Sequence, residues 1–218
     1  MRHIVERGTK RTMSVGKIVA IGANYTDHIE EMGLKVPDKP MIFLKPSSSI
    51  LHSGEPIPYP KTGDVLHYEA ELGLVVGEVA KDVTPEKGLG IFSHYLLALD
   101  MTLRDLQEEA RERGWPWSTC KGFDGACPVS QAVPLGDPSV LADMPIRLSV
   151  NGEVRQDSTT FNMIWGPARL AEIVSSHFTL EPGDLILTGT PAGVGEVERR
   201  DTIEAGLGDE LSVTFEIA

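Results

Sequence analysis

Three acids in two short stretches carry the chemistry open to this chain. Glu69 and Glu71 stand in His67-Tyr68-Glu69-Ala70-Glu71-Leu72, and Asp100 stands in Ala98-Leu99-Asp100-Met101-Thr102. The glutamates lead into an apolar run, Ala70 to Val79, that reads as a buried strand. Side chains alternate faces along a strand, so residues two apart share a face, roughly 7 Å from each other. Glu69 and Glu71 therefore point one way, and Leu72, Leu74 and Val76 point the other way, into a core. Two like charges on a partly buried face repel and lose hydration, unless one is protonated or a cation sits between them. Asp100 ends a second apolar run, Tyr95 to Leu99, where a strand gives way to a helix. Three hard oxygen donors with no neighbouring Cys favour Mg²⁺, Mn²⁺ or Ca²⁺ over zinc. Acids at i and i+2 also mark the solvated face of an ordinary strand, and that reading competes on these residues alone.

Other residues offer proton transfer or charge. His28 and Glu31 lie at i and i+3 of a short helix and face each other. They are either a surface pair or a dyad, in which Glu31 orients His28 and His28 takes a proton from water. Arg104 and Gln107, also at i and i+3, share a helix face just after Asp100. They reach substrate oxygens or decorate the surface. Lys121, in the glycine loop Lys121-Gly122-Phe123-Asp124-Gly125, is a surface lysine or a stabiliser of a developing oxyanion. Trp115, Trp117 and Phe123 belong to a pocket wall or to the core. The Gly-rich segment Thr188 to Gly195 has no Lys-Ser/Thr after its glycines, so it is not a P-loop. No helix with a ribose-binding acid follows, which argues against a dinucleotide. Its backbone N–H groups and Thr hydroxyl, at a strand end, suit an anionic oxygen.

The elements that must position these residues are short. Residues 1–14 are polar and basic, a mobile arm or short strand, and residues 15–218 read as one domain without a convincing internal boundary. Lys17 to Ala23, Met41 to Leu44, Tyr95 to Leu99, Leu185 to Leu187 and Leu211 to Ile217 read as strands. The helix carrying His28 is capped by Thr26 or Asp27 and stops at Gly33. Ser47 to Gly63, rich in Pro, Ser and Gly, reads as an ordered loop. Thr102 and Asp105 suggest a capping box for a helix that runs to Arg113 and stops at Gly114. Ile146 to Val150, Asn151-Gly152 and Glu153 to Gln156 give the strongest hairpin signal in the chain. Pro167 opens a helix whose stripe is Leu170, Ile173, Val174 and His177. Many short strands, few helices and long loops predict a β-rich mixed α+β fold.

The bulk properties narrow the partners. A chain of 218 residues supports one sizeable core, or one core with a small appendage. At 41% hydrophobic and 24% charged residues, its composition is that of a globular domain. The formal net charge of −12 argues against nucleic acid and anionic membrane as partners. An acidic substrate would need local positive charge from a metal, Arg or Lys. No apolar run approaches the ~20 residues of a membrane helix, and no signal-peptide core is visible. Cys120 and Cys127 form neither a CxxC pair nor a disulfide framework, so a cytoplasmic protein with reduced thiols is expected.

In combination these stretches resemble one family. Asn24-Tyr25-Thr26-Asp27-His28, Phe43-Leu44-Lys45-Pro46, His67 to Leu72, Leu99 to Asp105, Lys121-Gly122-Phe123-Asp124, Val150-Asn151-Gly152-Glu153 and Leu187-Thr188-Gly189-Thr190-Pro191 occur in the order seen in the fumarylacetoacetate hydrolase family. They look most like its short acylpyruvase and oxaloacetate decarboxylase branch, over about Val15 to Ile217. The resemblance implies β-sheets rolled around a pseudo-barrel, with few helices, in a homodimer. It implies that Glu69, Glu71 and Asp100 bind Mg²⁺ or Mn²⁺, with Ca²⁺ as a possible substitute. It implies a catalytic His28–Glu31 dyad on a lid, a substrate-facing Lys121, and substrate contacts from Arg104, Gln107 and Thr190. The implied activity is C–C bond cleavage in small 2-oxo acids, by acylpyruvate hydrolysis or oxaloacetate decarboxylation, through a metal-stabilised pyruvate enolate. The same site would serve an isomerase of 2-hydroxyhepta-2,4-diene-1,7-dioate or an oxaloacetate tautomerase. A non-catalytic Ca²⁺ or small-acid binding module is disfavoured, because binding alone needs no proton shuttle. The separate N-terminal domain of larger members is absent, which makes fumarylacetoacetate itself a less expected substrate.

Overall fold

The computed structural model describes residues 2–31, 33 and 36–218. The N-terminal segment folds back as a ribbon, β1 (His3–Val5) antiparallel to β2 (Thr12–Ser14). Ile4 and Val15 are fully buried there, so the segment is packed down by its apolar residues.

The main sheet is built from β3 (Lys17–Gly22), β4 (Met41–Pro46) and β5 (Ile50–His52). The next segments give β6 (Leu66–Tyr68), β7 (Ala70–Val76), β8 (Phe92–Leu99) and the two-residue β9 (Thr102–Leu103). Then come β10 (Cys127–Val129), β11 (Val133–Pro134), β12 (Pro145–Val150) and β13 (Glu153–Thr159). The last four are β14 (Leu185–Leu187), β15 (Gly195–Glu196), β16 (Thr202–Leu207) and β17 (Leu211–Glu216). An eight-stranded sheet runs β4-β3-β14-β7-β8-β10-β5, with β11 paired to β8. A second sheet runs β13-β12-β16-β17, and a small third one β15-β6-β9. The chain is mixed α+β and strand-rich, with a curled, half-barrel main sheet.

Strand β7 is central and buried along its whole length. Leu72, Leu74 and Val76 join the larger apolar cluster, which includes Leu148 and Ile203 of the second sheet. Val75 joins Ile18, Leu96 and Ala98 on the opposite face. A strand covered on both faces reads as a continuous apolar run, which is why this one shows no polar alternation. It stops at Val76; Val79 lies beyond it and is 68% exposed.

Five α-helices are present among the described residues: α1 (Thr26–Glu31), α2 (Pro85–Gly88), α3 (Arg104–Arg113), α4 (Ser118–Lys121) and α5 (Pro167–His177). Asp27 Oδ1 accepts the His28 N–H at 2.8 Å in the first turn of α1. Gly114, at φ +67°, closes α3 by donating its N–H to the last turn. The hairpin β12–β13 turns through Asn151 and Gly152, both at positive φ, as a type I′ turn requires.

Four local expectations change. The capping box does not form, because Leu103 is the N-cap and makes no side-chain bond. Thr102 Oγ1 instead donates to the Asp100 carbonyl, and Asp105 accepts the Asp64 N–H. The Ser47–Gly63 stretch contains β5, which pairs in parallel with β10. Lys121 ends the short helix α4 and does not sit in an open loop. On α5 the buried stripe is Leu170, Ala171 and Val174, while His177 is exposed. Among the described residues, no helix is long and apolar enough to cross a membrane.

Candidate metal centre and active site

The acid cluster forms where β7 and β8 meet. Ala70 pairs with Leu99 and Glu71 with Ala98, so Glu69 and Asp100 lie side by side just beyond the ladder. The Asp100 N–H donates to the Glu69 carbonyl at 2.8 Å, which locks that register. Ligand-type oxygens of Glu69, Glu71 and Asp100 all fall within 4.8 Å of one another, and all three residues are buried.

Cations surround two of the three. Lys121 Nζ bridges Glu69 Oε2 at 2.8 Å and Asp100 Oδ2 at 2.7 Å. The Arg104 guanidinium donates to Glu69 Oε1 at 2.6 Å and to Gln107 Oε1 at 2.5 Å. Burial alone would raise the Glu69 carboxyl, but Lys121 and Arg104 hold it well below the usual carboxylate range. Burial works against the Lys121 charge, yet Asp100 and Glu69 raise its affinity for the proton. Arg104 Nε also donates to His67 Nδ1 at 3.4 Å. Burial, then the Arg104 charge, push His67 down to about 4, so its ring is neutral and accepts that bond at pH 7.

Glu71 is different. It accepts the Gly189 N–H at 2.7 Å and has no ion-pair partner among the described residues. Burial, then Asp100 and Glu69, push its carboxyl well above the usual value. Asp100 Oδ1 is 2.5 Å from Lys45 Nζ, but outside hydrogen-bond geometry, and it has no hydrogen-bond partner among the described residues. A buried carboxylate without its own cation among the described residues, beside a carboxylate oxygen left without a hydrogen bond, fits a hard divalent cation. Three carboxylates and no thiolate or imidazole in the cluster suit Mg²⁺ or Mn²⁺ better than zinc.

Glu69 and Glu71 open onto a cleft of about 140 Å³. Glu69, Glu71, Arg104, Gln107, Lys121, Thr190 and His28 all line it. His28 Nδ1 lies 3.3 Å from Glu31 Oε2, and both Glu31 oxygens accept the Gly193 N–H, at 3.0 and 3.2 Å. The Gly-rich segment thus supplies backbone N–H groups, as its composition suggested, but they hold Glu71 and Glu31. Phe43 and Trp117 form an aromatic edge of the cleft, with ring centroids 5.4 Å apart. Trp115 is exposed beneath the Arg113 guanidinium, and Phe123 packs on the core.

Two residues at the site escaped sequence reasoning. Lys45, 1% exposed, donates from Nζ to the carbonyls of Lys121, Ala126 and Met101 beside Asp100. Its signal was a lysine at the end of an apolar strand run. Gln156 is fully buried between the Ala70 N–H and the Thr190-Pro191 segment. No local signal marks it, because its neighbours on β13 are exposed and polar.

Comparison with known proteins adds a common theme. Residues 17–217 match the family model described as fumarylacetoacetate (FAA) hydrolase C-terminal. The mitochondrial oxaloacetate tautomerase FAHD1 of Homo sapiens is 43% identical over 203 residues, covering 92% of this chain and 90% of its own. The oxaloacetate tautomerase YcgM of Escherichia coli K12 is 40% identical over 219 residues, covering 99% of this chain and 95% of its own. The crystal structure of fumarylpyruvate hydrolase from Pseudomonas aeruginosa, in complex with Mn²⁺ and pyruvate, superposes with a TM-score of 0.95. It is 32% identical, and the match covers 99% of this chain and 95% of that one.

Proposed function

The chain belongs to the fumarylacetoacetate hydrolase family and is an enzyme of it, and we propose that it uses a divalent metal to move a proton on oxaloacetate or a closely similar 2-oxo acid. The observation that carries this reading is one cleft lined at once by Glu69 and Glu71 of the acid cluster and by the paired imidazole of His28. Glu69, Glu71 and Asp100 would hold Mg²⁺ or Mn²⁺, which supplies a Lewis acid for the substrate's carboxylate and 2-oxo oxygens.

The protein's own groups do the rest. Arg104, fixed between Glu69 and Gln107, binds and orients the acid with Gln107 and Thr190. The Lys121 ammonium offsets negative charge that grows on the 2-oxo oxygen. His28 has Nδ1 committed to Glu31, so its other ring nitrogen exchanges the proton at the carbon beside the 2-oxo group. In enol-to-keto conversion one proton leaves the enol oxygen and one is added at that carbon, with no water consumed. The tautomerase names of two relatives support putting this reaction first.

The fold match to fumarylpyruvate hydrolase supports a second reaction at the same residues, acylpyruvate hydrolysis. There His28 takes a proton from water, the hydroxide adds to the distal carbonyl, and Lys121 faces the tetrahedral oxyanion. The C–C bond then breaks to give a carboxylic acid and pyruvate, which takes up the proton. The experiment follows decay of enol-oxaloacetate by its ultraviolet absorbance, and pyruvate release from oxaloacetate and acetylpyruvate, each with Mn²⁺ and then EDTA. Metal-dependent enol decay without pyruvate is the expected result. Pyruvate from acetylpyruvate makes it a hydrolase, pyruvate from oxaloacetate alone makes it a decarboxylase, and no change in any assay overturns the assignment to these acids. A homodimer accompanies this reading, checked by light scattering on the purified protein.

A further inference from the structure

We propose that Gln156 is a positioning residue that fixes the direction of the Thr190 hydroxyl proton, so that it donates into the cleft. The side chain reaches from β13, in the second sheet, to the edge of the acid cluster. Its Oε1 accepts the Ala70 N–H at 2.9 Å. Its Nε2 donates to the Pro191 carbonyl at 2.9 Å and to Thr190 Oγ1 at 2.8 Å.

The chemistry of the partners leaves this amide one orientation. A backbone N–H can only donate and a backbone carbonyl can only accept, so the oxygen must face Ala70 and the nitrogen must face Pro191. Both hydrogens on Nε2 are then in use. Thr190 Oγ1 is an acceptor in this network, and its own proton must find another partner. Among the described residues no group accepts it. Thr190 is 3% exposed and lines the cleft with Glu71, Lys121 and His28, and the cleft is the direction left to the proton.

A free threonine hydroxyl turns and serves either as donor or acceptor. Here the turn is blocked, so the cleft presents a preset donor that suits a carboxylate or carbonyl oxygen. Ala70 lies between Glu69 and Glu71, so the same amide also ties the acid strand to the Gly-rich segment. The inference rests on the proposed reading in one respect, that the acceptor is an oxygen of a 2-oxo acid.

The test is calorimetric binding of pyruvate to the Mn²⁺-loaded protein. Gln156→Glu keeps the shape and places an acceptor where an N–H stood, which draws the Thr190 proton away from the cleft. Thr190→Val removes the proton. Each should weaken pyruvate binding by about 10-fold, the loss of one hydrogen bond to a charged group. The double variant should bind no more weakly than Thr190→Val alone, and Thr190→Ser should stay close to wild type. Mn²⁺ titrated alone should lose no affinity in any of them. Gln156→Met, which adds no charge to the core, should also weaken pyruvate and serves if the glutamate variant does not fold. Wild-type affinity in the Gln156 variants overturns the inference. So does a loss that persists in the Thr190→Val background, or one that tracks Mn²⁺ affinity, because either marks a structural brace. A wild-type protein that takes Mn²⁺ but no pyruvate overturns the reading of the cleft as well.

Discussion

At the scale of single residues, the proposed site divides its labour between metal ligands and a proton carrier, and substitutions should separate the two. Among the described residues Glu71 has no cation of its own, so Glu71→Gln removes a proposed ligand without leaving an unpaired ammonium behind. Mn²⁺ affinity should fall by more than about 100-fold, since loss of a mere supporting contact costs 10–100-fold. Calorimetry measures it, and retained affinity would take Glu71 out of the ligand set. His28→Ala should lower kcat by about 10²–10⁴-fold with Mn²⁺ affinity unchanged. Full activity in that variant would remove the dyad from the mechanism. The acids and His28 were legible in the sequence because charge inside an apolar run, or paired at helical spacing, is a local pattern. Lys45 and Gln156 were not, because what defines them is burial against segments distant in sequence. Gln156 meets Ala70 across 86 residues.

At the scale of elements, the hairpin at Asn151-Gly152, the end of α3 at Gly114 and the start of α5 at Pro167 follow from local backbone chemistry, and all three form. Strand β5 hid in a Pro- and Ser-rich stretch because three residues in parallel pairing carry too little period to read. The capping box failed for a different reason. Thr102 is drawn into β9 beside β6, so its hydroxyl is no longer at the helix start. The Gly-rich segment carries the element-scale prediction. Gly193 sits at φ +96°, and a Cβ there would lie 1.8 Å from the Arg155 carbonyl oxygen. Gly193→Ala must therefore displace the segment and the N–H that holds Glu31. A shift of about 1 Å at a catalytic group costs on the order of 10²-fold, so kcat should fall by that much while Mn²⁺ binding persists. A variant with normal kcat would show that Glu31 does not depend on this contact.

At the scale of the whole molecule, the sheet brings residues 17–22, 70–76 and 185–187 together as adjacent strands, an order no sequence pattern reveals. What the sequence did disclose was a β-rich mixed class, through continuous apolar runs with turn residues between them. If the buried carboxylates hold the proposed metal, the stability of the fold is coupled to it. Mn²⁺ at about 100 times its dissociation constant should add about 2.7 kcal/mol. For a domain of this size that is a rise of roughly 5–10 °C in melting temperature. A thermal melt with Mn²⁺, reversed by EDTA, checks it, and an unchanged midpoint would mean that the acids hold no cation in the folded state.

Glu31 has one further consequence. Its carboxylate faces His28 on the same helix turn and the Gly193 N–H 162 residues away. The partner that steers the imidazole is also the latch between α1 and the Gly-rich segment. On the proposed reading, undocking α1 would disarm the base in the same movement, as a clutch disconnects an engine. The imidazole would then be geared to its proposed chemistry only while the helix is engaged, and a departing product would meet a disengaged proton carrier.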